Sequence, residues 1–125
     1  MITGAHFLLY STDAAADRAF IRDVLGFRSV DLGEGWLIFG LPPAEMAVHP
    51  GGDGFTQDHG GAAMAGTVLY LMCDDLDAET ARLASAGVRC GAVAEADWGR
   101  STSIPLPGGG HLGLYQPAHP TALAL

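Results

Sequence analysis

The sequence contains no lysine and few basic residues of any kind. Its 125 residues include six Lys+Arg, all of them Arg, against 14 Asp+Glu, so the formal net charge at pH 7 is −8. Without a basic cluster, a nucleic-acid backbone and an anionic membrane surface are both unfavourable partners. A small neutral or cationic molecule is compatible with this charge. We therefore expect a small-molecule ligand or substrate, and no binding to nucleic acid or membranes.

Cysteine and long apolar runs are scarce as well. Cys73 and Cys90 are too few for a disulfide scaffold and do not form a CxxC pair, which predicts two thiols in a reducing cytoplasm. No apolar run has the length that spans a bilayer. Residues 1–13 lack the basic region and cleavage site of a signal peptide. Since 49% of the residues are hydrophobic and 16% are charged, we expect one folded cytoplasmic domain over 1–125.

A weak internal repeat organises this domain. An apolar, strand-forming segment over 6–13 is followed by a predicted helix over 13–26. At an offset of 61, a second apolar segment over 67–74 is followed by a predicted helix over 74–87. Each helix begins at Asp and ends at Gly, residues that favour the N-cap and the left-handed C-cap. The repeat predicts two similar halves.

Three further apolar segments, separated by turn residues, follow each helix. They are residues 27–32, 35–41 and 45–49 in the first half, and 88–93, 101–104 and 111–116 in the second. Each half therefore has the order strand, helix, strand, strand, strand, with module one over 1–50 and module two over 66–117. A glycine-rich linker over 51–65 is either a mobile lid or a flexible tether, and 118–125 is a short tail. Because one such half exposes an apolar sheet face, we expect two paired βαβββ modules in an α+β fold around a shared cavity.

The repeat brings four polar residues to equivalent positions. His6 begins the first strand of module one, and Thr67 holds the matching position in module two. Aligning the apolar alternation of the last strands pairs Glu45 with His111. Two imidazoles and one carboxylate are suitable ligands for a divalent first-row metal with positions left open for water or substrate. We predict a metal site of His6, Glu45 and His111, with Glu45 also able to act as a catalytic base if it leaves the metal.

Each predicted ligand also has an ordinary structural interpretation. His6 on an apolar strand fits a hydrogen-bonded core or rim histidine. Glu45 fits a solvated charge at a strand end, and His111, after three glycines, fits an exposed turn residue. His49 lies on the same strand face as Glu45 by the period-two rule, so it is an alternative ligand.

Four residues are candidates for contact with a substrate. Tyr10 shares a strand face with His6, and Thr67 offers a hydroxyl or leaves a gap. Trp98 and Arg100 lie between two predicted strands. Arg100 either anchors an anionic substrate group or is a surface charge.

Three other features are interpreted without a functional role. The glycine run 108–110 is not followed by a helix, so it predicts a hairpin turn rather than a phosphate-binding loop. His59 in the linker and His119 in the tail are expected to be solvated.

Several of these segments together resemble a known superfamily. They are the strand His-Phe-Leu-Leu-Tyr-Ser over 6–11, Leu-Met-Cys-Asp-Asp-Leu-Asp over 71–77, and Leu-Pro-Gly-Gly-Gly-His-Leu-Gly-Leu-Tyr over 106–115. With the paired modules, they are similar to the vicinal oxygen chelate superfamily of glyoxalase I, bleomycin-resistance proteins and extradiol dioxygenases. The resemblance covers roughly 2–117. It implies a cupped, half-barrel mixed sheet and a homodimer.

The resemblance also implies a function. Metal-binding members carry ligands at places that match His6, Glu45, Thr67 and His111, most often with His at the third place and Glu at the fourth. This chain departs from that pattern at Thr67 and His111. The implied function is a glyoxalase- or dioxygenase-like enzyme that uses a divalent ion (Zn, Ni, Fe, Mn or Co) as a Lewis acid on a small oxygenated substrate. The alternative is a metal-free protein of the bleomycin-resistance type that sequesters a drug or metabolite.

Overall fold

The computed structural model describes residues 1–52 and 55–124 as a small α+β fold. In chain order the elements are α1 (Ala14–Phe20), a π-helical turn (Ile21–Leu25), β1 (Ser29–Asp31), β2 (Leu37–Phe39), β3 (Thr56–His59), β4 (Ala62–Ala65), β5 (Tyr70–Met72), α2 (Leu76–Ser85), β6 (Ala94–Ala96), β7 (Gly99–Pro105) and β8 (His111–Pro117). Across these described stretches, no helix has the length and apolar character needed to cross a membrane.

The second half of the chain builds an open, mixed, four-stranded sheet in the order β5–β8–β7–β6. Strand β5 runs parallel to β8, whereas β7 runs antiparallel to both β8 and β6. Within the turn that joins β7 and β8, the Leu106 N–H donates to the Gly110 carbonyl at 2.8 Å. The glycine run therefore forms the hairpin turn that the sequence predicts.

Helix α2 covers one face of this sheet and forms the core with it. The buried apolar residues are Leu76, Leu83, Val88, Ile104, Leu112 and Leu114. Strand β8 supplies Leu112 and Leu114 at alternate positions, because successive side chains of a strand point to opposite faces. At the start of α2, the Leu76 N–H donates to the side chain of Gln116 at 2.9 Å, which ties the helix to the end of β8.

The caps of both helices largely follow the sequence pattern. Asp13 is the N-cap of α1, where its carboxylate accepts a hydrogen bond from a backbone N–H three residues on. Asp75 does the same for α2, although the repeat offset had indicated Asp74. Gly26 adopts φ 74° at the end of the π-helical turn, a left-handed conformation that favours glycine.

The first half differs most from the predicted arrangement. Residues 6–11, all of them described, belong to no strand, and neither do residues 45–49. Segments 27–32 and 35–41 contribute only the short antiparallel pair β1–β2, which is separate from the four-stranded sheet. A strand is stable only when a neighbour completes its hydrogen bonds, and a local apolar pattern does not supply that neighbour. The pairing of two equivalent modules stays a prediction.

The linker also differs from the expected tether. It contains the antiparallel hairpin β3–β4, in which Thr56 pairs with Ala65 and His59 with Ala62. Gly60 and Gly61 form its two-residue turn, both with positive φ. Such a pair is the turn chemistry that a two-residue hairpin requires, so the glycines favour a defined turn here rather than a disordered chain.

A buried polar contact is among those that connect the two halves. Asp17 of α1 is 8% exposed, and its Oδ1 accepts a hydrogen bond from the Gly108 N–H at 2.7 Å. The Thr12 hydroxyl donates to the carbonyl of the same glycine at 2.8 Å. A Cβ at position 108 would overlap the Ser11 hydroxyl and the Asp17 carboxylate, so only glycine allows this close approach.

Candidate functional site

The candidate site lies on the face of the four-stranded sheet that is turned away from α2. Since Leu112 and Leu114 of β8 pack into the core beneath α2, the alternating residues of β8 and their register partners belong to the opposite face. We call this surface the open face. It comprises Tyr70, Met72, Ser101, Ser103, His111, Gly113 and Tyr115.

Aromatic rings gather around Tyr115 on the open face. The rings of Tyr70 and Trp98 meet the Tyr115 ring edge-on, with centroid distances of 5.5 and 5.6 Å. The His119 imidazole is instead stacked on Tyr115, at 6.1 Å and an interplanar angle of 28°. A Cβ at Gly113 would overlap the Tyr70 ring, so this glycine makes room for the cluster.

Glu45 places a carboxylate beside these rings. Its side chain is 16% exposed. Its Oε1 accepts a hydrogen bond from the Tyr115 hydroxyl at 3.3 Å, and its Oε2 accepts one from the Ala122 N–H at 2.6 Å. The Nε2 atom of His119 lies 3.9 Å from Oε1 and 3.3 Å from the Tyr115 hydroxyl. Both carboxylate oxygens of Glu45 are therefore engaged by protein groups.

The surroundings of Tyr115 keep its hydroxyl protonated. Burial raises the pKa of Tyr115, and the negative charge of Glu45 and the hydrogen bond to it raise the pKa further. Each effect disfavours the phenolate: burial removes solvation from a charge, the Glu45 carboxylate repels a second negative charge, and the hydrogen bond stabilises the protonated hydroxyl. At neutral pH, Tyr115 is consequently a hydrogen-bond donor on the open face.

A cavity of about 520 Å³ opens beside this cluster, at the edge where the parallel strands β5 and β8 end. Residues 118–124 form one wall of the cavity and the strand ends form the other. Its lining consists of Met72, Cys73, Asp74, Gln116, Pro117, His119, Thr121 and Leu123. Its volume is in the range of small-molecule sites, although it is a shallow depression broadly open to solvent.

A second cavity of about 410 Å³ lies on the other side of the sheet, beneath α2. Met72, Cys73 and Asp74 line both cavities. Burial raises the pKa of the Cys73 thiol, and the nearby carboxylate of Glu79 raises it further. Because the thiolate is the reactive form of cysteine, these surroundings disfavour Cys73 as a nucleophile.

The three predicted metal ligands occupy different settings. Glu45 sits in the aromatic cluster, His111 opens β8 opposite Pro105, and His6 is exposed in a segment outside the sheets. Among residues 1–52 and 55–124, no group of three or more His, Cys, Asp or Glu side chains is placed to hold a metal ion. The metal site of His6, Glu45 and His111 therefore stays a prediction, and His49 is an exposed residue outside any strand.

The four predicted substrate contacts are also spread over the molecule. Trp98 belongs to the aromatic cluster, whereas Thr67 is exposed between β4 and β5. The Tyr10 hydroxyl makes a hydrogen bond with His59 of the β3–β4 hairpin, so His59 is not simply solvated. The side chain of Arg100 points to the α2 side of the sheet. Binding of a substrate by Tyr10, Thr67 or Arg100 stays a prediction.

Arg100 has its own structural partners. Its guanidinium pairs with Asp77 of α2 at 3.2 Å and with Glu95 of β6 at 3.0 Å. These ion pairs connect the helix to the sheet edge. Their geometry gives no support to Arg100 as an anchor for an anionic substrate.

Three members of the cluster were missed as site residues in the sequence. The sequence is sufficient to identify Tyr115, because the period-two rule places it on the same strand face as His111. Tyr70 gave no such signal, since its place depends on β5 pairing in parallel with β8. His119 was expected to be solvated, and the structure instead packs it on Tyr115.

No protein-family model and no curated protein matches the sequence. Solved structures do resemble the model. TnmS3, an antibiotic binding protein from Streptomyces sp. CB03234, has a TM-score of 0.64 at 22% identity over 94% of this chain and 99% of its own. Lactoylglutathione lyase from Agrobacterium tumefaciens has a TM-score of 0.60 at 19% identity over 91% and 92%. The fosfomycin resistance protein FosX from Listeria monocytogenes has a TM-score of 0.55 at 17% identity over 93% of this chain and 94% of its own.

These likenesses concern the fold. The neighbours include glyoxalase, bleomycin-resistance and fosfomycin-resistance proteins of the vicinal oxygen chelate fold. The resemblance stated from the sequence is confirmed at that level. Because many activities share one fold, the particular function has to be argued from the site.

Proposed function

We propose that this protein binds a small organic molecule on the open face and in the adjoining cavity of about 520 Å³. The observation that carries the proposal is the exposure of the aromatic cluster. Tyr70 and Trp98 are 43% and 47% exposed, although they contact the best-packed sheet of the molecule. Exposed aromatic rings beside a cavity are typical of ligand-binding sites, where they supply contact area and stacking surfaces.

Charge favours a basic ligand. The chain carries a formal net charge of −8, and Glu45 adds a carboxylate to the cluster itself. A neutral or cationic aromatic compound therefore suits the site better than an anion. The fold shared with TnmS3, named as an antibiotic binding protein, is consistent with such a ligand.

The two tryptophans provide a matched test. Trp98 lies in the cluster, whereas Trp36 lies in the first half beneath Arg18, whose guanidinium carbon is 4.7 Å from its ring. Cationic aromatic antibiotics would be titrated while tryptophan fluorescence is recorded. Trp36→Phe, which keeps Trp98, is expected to retain a saturable change. Trp98→Phe is expected to lose it.

An equal signal in the two variants would contradict the proposal, because the bound molecule would not then be near Trp98. Binding is also expected to be unchanged by a chelator. A requirement for added metal would favour the enzyme alternative instead.

The metal-dependent enzyme remains a second proposal that rests on the sequence pattern. It needs His6, Glu45 and His111 to converge on one ion, in an arrangement different from the one described above. We derive no catalytic step from it. Elemental analysis of protein purified without a His-tag tests it directly: stoichiometric metal that is lost in both Glu45→Ala and His111→Ala would support the enzyme.

The homodimer and the cytoplasmic location also stay proposals. Sedimentation equilibrium tests the first, and fractionation of the native host tests the second. A monomer across the micromolar range would contradict the homodimer.

A further inference from the structure

Residues 118–124 follow β8 and lie against the open face, and we call them the strap. We infer that the strap is an autoinhibitory element, in which His119 occupies the stacking position on Tyr115 that a planar ligand takes when it displaces the strap. The inference rests on the proposed function. It adds the segment that keeps the site closed and the class of ligand that displaces this segment.

Two hydrogen bonds anchor the strap at different points. At its beginning, the Ala118 N–H donates to the Trp98 carbonyl at 2.8 Å, a backbone contact that continues the edge of the sheet. Further along, the Ala122 N–H donates to Oε2 of Glu45 at 2.6 Å. The first anchor belongs to the backbone of the fold. The second depends on a single side chain, so it is the one that can be exchanged for a ligand.

The stacked ring lies between these anchors. Tyr70 and Trp98 approach Tyr115 edge-on, at 89° and 75°. Of the ring pairs around Tyr115 in the described part of the chain, only the pair with His119 is stacked, at 28°. A flat ligand that stacks on Tyr115 needs the position parallel to the ring, and His119 already fills it. The imidazole therefore acts as an internal substitute for the ligand.

The strap has no fully buried residue: His119 is partly buried, and the other residues of 118–124 are exposed. Leu123 is 38% exposed, and the side chain of His119 is 36% exposed. Segments with few buried apolar contacts open at low free energy. The closed strap consequently lowers the apparent affinity of a ligand by the fraction of molecules that are open, without preventing binding.

The second anchor specifies the chemistry of the ligand. When the strap leaves, Oε2 of Glu45 loses its N–H donor, whereas Oε1 keeps the Tyr115 hydroxyl as its donor at 3.3 Å. A ligand replaces that donor best when it carries an N–H group, and a cationic one best of all, because hydrogen bonds to charged groups are the stronger ones. The geometry thus points to a planar heteroaromatic cation with N–H donors.

Proflavine, a flat acridinium with ring and amino N–H donors, is a suitable probe. Its affinity would be measured by fluorescence titration for the wild type, His119→Ala and a chain that ends at Pro117. Both altered proteins are expected to bind about two- to tenfold more tightly, the range that loss of one competing aromatic contact gives. The control is His59→Ala, a histidine that contacts Tyr10 and not the cluster, and its affinity should equal that of the wild type.

Amide exchange measured by NMR reports on the strap itself. Saturating proflavine is expected to accelerate exchange of the Ala122 amide, whereas the Ala118 amide stays protected. In the protein without a ligand, Glu45→Ala is expected to accelerate Ala122 in the same way. Slower exchange of Ala122 with proflavine would overturn the inference, since the strap would then close over the ligand.

The outcomes separate the two proposals. If proflavine binds the wild type as tightly as it binds His119→Ala and the shortened chain, or more tightly, the strap is not autoinhibitory although the open face is still a binding site. If proflavine binds none of the proteins, both the autoinhibitory role and the open face as a site for planar cations are wrong. Fast exchange of Ala122 in the wild type without a ligand would refute the docked strap independently of any binding result.

Discussion

The two halves of the chain have the same sequence pattern and very different packing. In the second half, α2 and the mixed sheet enclose all six residues of the buried apolar cluster. In the first half, Phe7 and Leu9 are 44% and 48% exposed, and all three residues of β1 are exposed. The apolar content of both halves predicts strands, but the first half forms only the two-stranded β1–β2 sheet, whereas the second half has a four-stranded sheet on which to bury apolar residues.

The difference shows what a repeat can and cannot specify. A repeat fixes which segments are apolar, where the helices are capped and where the turns fall. It does not fix the neighbour against which each strand completes its hydrogen bonds, because that partner is set by the tertiary fold. In the second half the strand neighbours lie within the same module. In the first half, β1 and β2 pair with each other, but residues 6–11 and 45–49 belong to no strand.

The largest contrast is expected from leucine truncation. Leu83 of α2 is 1% exposed, and Leu9 is 48% exposed. Leu83→Ala is expected to lower the free energy of unfolding by about 2–5 kcal/mol, the usual cost of a cavity in a core. Leu9→Ala is expected to change it by about 0.5 kcal/mol or less, as an exposed site does. Urea denaturation measures both.

A cost for Leu9→Ala that approaches that of Leu83→Ala would break the contrast. It would mean that the 6–13 segment is buried in solution, either against the rest of the chain or against a second copy. Repeating the denaturation over a range of protein concentrations distinguishes burial within one chain from burial against a second copy, because only an intermolecular contact makes stability depend on concentration.

A smaller contrast is expected between two glycines. At Gly113 in β8, a Cβ would overlap the Tyr70 ring, whereas at Gly40, after β2, it would lie 3.8 Å from the Arg28 carbonyl in ordinary contact. Gly113→Ala is expected to destabilise by about 1–3 kcal/mol through overpacking and to displace Tyr70 from Tyr115. Gly40→Ala is expected to change the free energy of unfolding by about 0.5 kcal/mol or less. Loss of ligand binding in Gly113→Ala alone would further connect this glycine to the site.

The helix caps should reveal whether the two halves unfold together. Asp13 and Asp75 each accept a hydrogen bond from a backbone N–H, at 3.1 and 3.0 Å. Removing an N-cap usually costs about 1 kcal/mol, so Asp13→Ala and Asp75→Ala should have equal effects if the molecule unfolds as one unit. A normal effect for Asp75→Ala with none for Asp13→Ala would indicate that α1 opens separately.

Local features of the sequence were predicted well. The two helices, the Asp13 cap, the left-handed Gly26 and the hairpin turn at 108–110 all depend on residues near in sequence, and the structure contains each of them. The β3–β4 hairpin is an exception, because the glycines at 60 and 61 were interpreted as a sign of flexibility and not as a turn.

The candidate site was harder to predict for a physical reason. Its members come from four separated places: the 45–49 segment, the ends of β5 and β8, the turn before β7, and the strap. Trp98 was identified from its sequence position and Glu45 from the repeat. Their association with Tyr70 and His119 depends on a parallel strand pair and on a docked strap, and neither leaves a local pattern.

The smallest effect is expected from the ionisation of Tyr115, and it tests whether the aromatic cluster is as well packed as the core beneath it. Burial and the neighbouring Glu45 raise the pKa of Tyr115 above the ordinary value near 10. A raised pKa means that the folded protein holds the proton more tightly than the unfolded chain does. The contribution to stability is therefore fully present below pH 10 and is lost as the pH rises through the pKa of the folded state. Absorbance of phenolate during an alkaline titration is expected to show a late transition that Tyr115→Phe removes and Tyr10→Phe retains. If Tyr115→Phe leaves that late transition intact, water reaches the Tyr115 hydroxyl freely, and the open face is less ordered than the α2 side of the same sheet.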